Sequence, residues 1–288
     1  MTLRQATSLL LAIAGFAASC PAPAQDAGAL RARHDSLESS LDTSPFGRPL
    51  VLESSDKPDQ LIGNVYALVQ QPFSDVQPNL QGAGPWCEIL ILHLNVKACR
   101  SAGAELAVIV GRKFDQPLAN GYRVNFTYRL AAESANYLQV QLGAEDGPMG
   151  TSNYRIVLEA IPLDEQTTFM HMSYAYSYGT LAQLAMQSYL ATIGSDKAGF
   201  TITGKTADGQ PVYVGGVRGV LERNTMRYYL AIDAYLRHPN APGNVPADAR
   251  FADWFDSGER YARQLHEIDR ADYLTMKRNE VLRQPAAP

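Results

Sequence analysis

The chain has 288 residues, 46% hydrophobic and 19% charged, with 25 basic side chains against 29 acidic ones. That composition is globular and excludes collagen-like, coiled-coil and wholly disordered chains. The net charge of −4 also argues against duplex nucleic acid as a partner, because such a partner selects a basic excess gathered on one face.

Met1–Ala24 carries one basic residue, Arg4, an apolar run from Leu9 to Ala18, and the small-residue site Ala22-Pro23-Ala24. This predicts a cleavable secretory signal, since the run is too short to span a bilayer. A lipoprotein acylated at Cys20 is the alternative, although Leu is missing three positions before that cysteine. No later stretch is apolar enough to span a membrane, so the mature chain is expected in the periplasm. Cys87 and Cys99 then remain as one close pair in an oxidising compartment and predict a disulfide. Two free thiols, or a metal site with His93 as third ligand, are the other readings.

Residues 25–60 are rich in Ala, Ser, Asp and Pro and read as a flexible tether, with one short helix possible over Ala29–Leu41. The predicted core begins with a strand at Leu61–Val69. Pro72 opens a helix with Phe73, Val76 and Leu80 on one side, and Gly82–Pro85 breaks before a second helix over Trp86–Leu92. Asn95–Arg100 and Glu105–Phe114 flank the turn Ser101-Ala102-Gly103 as a hairpin. Period-two alternation follows at Tyr122–Leu130, Leu138–Leu142, Tyr154–Ala160 and Thr167–Tyr178, which predicts an antiparallel meander.

Beyond it, Thr180–Ile193 is helical, Phe200–Thr203 and Pro211–Val214 form a hairpin, and Val217–Leu236 is a strong helix ended by His238-Pro239. Asp248 opens a long polar helix reaching about Arg283, with Glu259/Arg263 and Asp256/Arg260 as i,i+4 pairs. It is read as a mostly solvated helix, with an envelope protein docking on it as the minority reading.

This order resembles the START-like (SRPBCC, helix-grip) superfamily, which includes START lipid-transfer domains, polyketide cyclases and the major birch pollen allergen. Val65-Tyr66-Ala67-Leu68-Val69 looks like the first strand of that family. Gln71-Pro72-Phe73-Ser74-Asp75-Val76 resembles the start of its first helix, and Gly84-Pro85-Trp86 the opening of its second. The resemblance covers roughly Leu61–Leu236. It implies an α+β helix-grip fold: a curved antiparallel sheet wrapped around a long helix and enclosing an apolar cavity, here with an extra C-terminal helix. The domain is expected over 61–237, and the polar helix over 248–284 lies outside the pattern. Two helices after the meander compete for the gripping role.

No phosphate loop, HExxH, GxSxG or CxxC motif is present, and neither a cofactor nor a metal is called for. On Thr167–Tyr178 one face carries Met170, Met172, Tyr174, Tyr176 and Tyr178, and the other Phe169, His171, Ser173, Ala175 and Ser177. The first face suits an amphipathic ligand, or simply packs under a helix. Tyr122, Phe126, Tyr128 and Tyr154 extend the cavity candidates, with His171 beside them. Arg123 and Arg129 would anchor a carboxylate or phosphate if their face lined the cavity, and are ordinary surface charges otherwise. The expected function is binding or transfer of a hydrophobic or amphipathic, lipid-like molecule. The alternatives are a ligand-free interaction module and a cyclase-type enzyme using His171, Tyr174, Tyr176 and Glu159.

Overall fold

A computed structural model of the chain describes residues 27–57, 60–179, 197–239 and 246–284. Eight antiparallel strands form one curved sheet in the order β1-β2-β8-β7-β6-β5-β4-β3. They are β1 (Leu50–Lys57), β2 (Gln60–Val69), β3 (Val96–Ala102), β4 (Glu105–Val110), β5 (Tyr122–Ser134), β6 (Tyr137–Asp146), β7 (Thr151–Pro162) and β8 (Thr168–Tyr178). The meander β3–β8 follows from the period-two runs and their short turns. One such turn places Gly103 at φ +60°, a conformation that glycine enters without a Cβ penalty.

The register aligns apolar side chains across the sheet. Val65 faces Met172, Met172 faces Leu158, Leu158 faces Val140, and Val140 faces Leu130. This inner face is covered by α2 (Phe73–Asn79), α3 (Ala83–Leu90) and the long α4 (Gly216–Arg237). Among the described residues, α4 is the helix that grips the sheet, packing on β1, β2 and β8. The helix predicted over Thr180–Ile193 lies outside the described residues, as do the signal segment and Cys20. Gly63 of β2 marks the tightest approach of α4, since a Cβ there would meet Thr225 Oγ1 at 2.2 Å. The hairpin of β9 (Ile202–Lys205) and β10 (Pro211–Tyr213) leads into α4. The fully buried Glu222 of α4 holds the start of this hairpin, accepting from the Phe200 and Thr201 N–H groups at 2.6 and 2.9 Å.

Two expectations need correction. The stretch read as a tether is folded: α1 (Ala27–Asp42) lies on the outer face of the sheet, and β1 extends the sheet beyond β2. Leu30, Leu37 and Leu41 recur on one side of α1 and pack on Tyr66, Ile161 and Phe169. Low overall hydrophobicity hides this narrow stripe, yet three leucines suffice because the sheet supplies the rest of the apolar surface.

The second correction concerns the C-terminal polar helix. It is three helices: α5 (Pro246–Glu259), α6 (Ala262–Leu265) and α7 (Arg270–Leu282). The backbone leaves helical geometry at Tyr261 (φ −120°, ψ 40°) and at Asp269, which precedes α7 with extended geometry. Asp256 therefore pairs with Arg270 at 2.7 Å and Glu259 with His266 at 3.0 Å, rather than with residues four positions on. Phe251, Trp254, Leu265, Tyr273 and Met276 are buried in the main core. The outer surface of α4 is thus covered, which accounts for its being buried nearly all round. No described helix is long and apolar enough to cross a membrane.

Candidate functional site

Between α3, α4 and the inner face of the sheet lies a cavity of about 160 Å³. Alternation along β5, β7 and β8 turns Phe126, Tyr154 and Tyr174 into it, three of the residues singled out from the sequence. Leu90, Val108 and Val124 add apolar wall, and α4 contributes Asn224 and Tyr228. His93, in the connection from α3 to β3, completes the lining.

The rings form a continuous wall. His93 stacks on Tyr228 with centroids 4.9 Å apart, Tyr228 lies 4.9 Å from Tyr174, and Tyr154 stacks on Tyr176 at 5.3 Å. Burial pushes the phenols of Tyr174, Tyr176 and Tyr228 up, so all three are neutral across the physiological range. Tyr154 donates its hydroxyl proton to Thr151 Oγ1 at 2.8 Å.

Buried His93 is held well below the ordinary histidine pKa, first by burial and then by Arg227, Lys277 and Lys113. Its Nδ1 accepts the Asn95 backbone N–H at 3.2 Å, and the Asn224 side chain is the ring's other polar neighbour.

A layer of paired charge backs this end of the cavity. Glu267 gathers Lys113 at 2.5 Å, Lys197 at 2.8 Å, Arg227 at 3.1 Å, and Arg223. These cations overcome the effect of burial and keep the Glu267 carboxyl far below the usual range. Burial brings Lys113 down to about 7 and Arg227 to about 10. Deeper in, Glu280 accepts from both Lys97 and Lys277 at 2.8 Å.

The remaining residues named from the sequence are dispersed. Met170 and Met172 are packed in the core, and Tyr128 is half-buried on the same inner face. Tyr122 is 43% exposed at the start of β5. Arg123 and Arg129 sit at the outward positions of β5 and are exposed; Arg123 donates to Asn125 Oδ1 at 2.9 Å. They point away from the cavity, so the head-group anchor expected of them is not built there.

His171 is also on the outer face, between Glu159 Oε2 (2.8 Å) and Asn64 Oδ1 (3.0 Å) and stacked on Tyr66. Burial would raise Glu159, but hydrogen bonds from His171 and Tyr137 outweigh it and hold the carboxyl low. The acid–base set His171, Glu159, Tyr174 and Tyr176 is therefore divided by the sheet and does not share one site. Cys87 and Cys99 form the predicted disulfide, with Cα atoms 5.1 Å apart, tying α3 to β3. Both sulfurs are thereby withdrawn from metal ligation.

His93 and Asn224 were not singled out as cavity residues. A lone histidine in a connection and an asparagine within a helix carry no periodic signal, and only the fold brings them to one wall.

No family model and no curated protein matches the chain. Among solved structures, similarity is found to a conserved protein from Geobacillus kaustophilus at 12% identity, covering 62% of this chain and 95% of that one, with a TM-score of 0.36. A point mutant of norcoclaurine synthase from Thalictrum flavum, in complex with a transition-state analogue, is similar at 14% identity over 49% of this chain and 89% of that one, TM-score 0.35. A conserved protein of unknown function from Enterococcus faecalis is similar at 7% identity over 86% and 99%, TM-score 0.33. The helix-grip architecture rests on the strand order and the gripping helix observed in this chain.

Proposed function

We propose that the chain binds a small, largely apolar molecule about the size of one aromatic ring in the cavity under α4. The observation that carries this reading is the cavity itself, at about 160 Å³ with apolar and aromatic walls. An apolar cavity of roughly 150 Å³ accommodates benzene, whereas sites for drug-sized ligands run to about 300–1,000 Å³. Of the hydrophobic and amphipathic ligands expected from the sequence, this volume favours single rings over long acyl chains. We further propose that the chain is a START-like (SRPBCC) protein, secreted to the periplasm after removal of Met1–Ala24. Oxidation of Cys87 and Cys99 supports that compartment.

Titration of the purified chain with toluene, followed by protein NMR, tests the binding reading. Saturable shifts at Val108, Val124 and Tyr174 are expected, and Val124→Phe should abolish them by filling the cavity while leaving the fold intact. Myristate should give no saturable shift at those positions. Absence of saturation by single-ring compounds, or saturation untouched by Val124→Phe, would overturn the reading. Intact mass of protein recovered from cell envelopes tests the second part: a chain starting at Gln25 with two oxidised cysteines is expected.

A further inference from the structure

We infer that the ligand of this cavity is an uncharged ring bearing one oxygen, which hydrogen-bonds to the hydroxyls of Tyr174 and Tyr228. This inference rests on the reading of the cavity as a ligand site and names the ligand's chemical class. The other polar groups of the wall are already engaged within the protein. Tyr154 donates to Thr151 Oγ1 at 2.8 Å, Asn95 donates its side-chain amide to the Gly111 carbonyl at 2.7 Å, and the Asn224 side chain hydrogen-bonds the His93 ring. The hydroxyls of Tyr174 and Tyr228 make no hydrogen bond among the described residues. The Tyr229 hydroxyl also lacks a partner, but it is sealed in the packing. Those of Tyr174 and Tyr228 are not sealed, so a group in the cavity can reach them.

Tyr174, only 4% exposed, enters the wall from β8. Tyr228 enters it from α4. Over residues 221–236 of that helix every residue is buried except Asn224 and Tyr228, one turn apart, and the space they face is the cavity. The rings of Tyr174 and Tyr228 lie 4.9 Å apart, and the stack of Tyr228 on His93 holds that ring in place. Burial keeps both phenols protonated, so each hydroxyl has a proton to donate and lone pairs that accept. A buried hydroxyl without a partner is costly, and an oxygen on the bound ring removes that cost.

The charge of the wall selects the kind of oxygen. Among the described residues lining the cavity no side chain is charged, since His93 is held neutral by burial and by the neighbouring cations. A carboxylate or an ammonium group would enter without a counter-ion, and its desolvation would go uncompensated. The cations behind His93 are already gathered on Glu267 and Glu280. Leu90, Val108, Val124 and Phe126 take the ring itself, and about 160 Å³ holds one ring with a small substituent.

The experiment titrates the full chain at pH 7 with phenol, toluene, benzoate and benzylamine, with NMR of the tyrosine Cζ resonances as a second readout. Phenol and toluene should saturate, whereas benzoate and benzylamine should not. Tyr174→Phe and Tyr228→Phe keep the rings and remove only the oxygens. Each should weaken phenol at least fivefold and leave toluene within a factor of two. In the wild-type chain phenol should move the Tyr174 and Tyr228 Cζ resonances further than toluene does. Phenol affinity that is unchanged in the variants or falls in step with toluene, or saturation by toluene but not by phenol, overturns the oxygen assignment and leaves the cavity reading standing. Saturation by benzoate or benzylamine overturns the assignment of an uncharged ligand. Failure of all four probes to bind overturns both readings. The wild-type resonances decide the matter even if a variant does not fold.

Discussion

The Lys97 ammonium lies 2.8 Å from the Glu280 carboxylate, and both side chains are buried between β3 and α7. Lys277 shares the same carboxylate and also donates to the His93 and Val96 carbonyls. This junction makes the C-terminal helices part of the core. Glu280→Ala strands two buried ammonium groups and should destabilise by about 3–5 kcal/mol in urea denaturation. Replacing Lys97, Lys277 and Glu280 together by methionine should cost less than that single change. Removing residues 270–288 should abolish cooperative unfolding, and a truncated chain that melts like the full one would contradict this account.

The pH dependence of stability should have two limbs. Burial alone would raise the Glu267 carboxyl, but Lys113, Lys197 and Arg227 outweigh it, so its native pKa is depressed from 4.5. The unfolded chain then takes up that proton first, and the native state loses this contribution as pH falls below about 4.5. Glu267→Gln should be less stable at pH 7 and show a shallower acid limb. Lys277 is brought down to about 8 by burial, with Glu280 opposing. Between pH 8 and 10 the unfolded chain holds more of its proton, and more of that on Lys113, held near 7, so stability should rise, by at most about 1.4 kcal/mol per pH unit for each lysine. Above pH 10 the buried phenols of Tyr229 and Tyr273, raised by burial, ionise first in the unfolded chain and reverse the slope. Lys277→Met should flatten the rise, as read from urea midpoints across pH 7–11.

Gly63 and Thr225 set how closely α4 approaches β2. An added Cβ at residue 63 would lie 2.2 Å from Thr225 Oγ1. Gly63→Ala should cost about 1–3 kcal/mol through overpacking. Thr225→Ala in the same chain should recover part of that loss, which a double-mutant cycle in urea would read as a favourable coupling.

Reducing the Cys87–Cys99 bridge releases a short loop joining α3 to β3, whose two cysteines have a sequence separation of 12. A stability loss of about 3 kcal/mol is expected from loop-closure entropy. Denaturation with and without reductant measures it, and equal midpoints would rule out a stabilising role.

His171 separates stability from binding. His171→Asn removes a hydrogen bond to the buried Glu159 carboxylate and should destabilise by about 1–3 kcal/mol. Because the sheet lies between it and the cavity, single-ring affinity should be unchanged in calorimetric titration. A parallel loss of affinity would place the site on the wrong face.

Much of this architecture is legible in the amino-acid order. Alternation at Tyr122–Leu130 and Tyr154–Ala160 is enforced by the pleat, so strands and meander can be read without the fold, as can the apolar turns of Val217–Leu236 and the close cysteine pair. Which face encloses the cavity is a different matter. On β8 both faces are covered: Met172 and Tyr174 pack under α4, while Phe169 packs under α1. Alternation tells such faces apart only when one of them is wet, and here helices distant in sequence cover both. The same limit hides His93 and Asn224, which only the packing of α4 against the α3–β3 connection brings to one cavity wall. Local periodicity determined the elements; burial, which depends on what the rest of the chain brings to each face, decided the site.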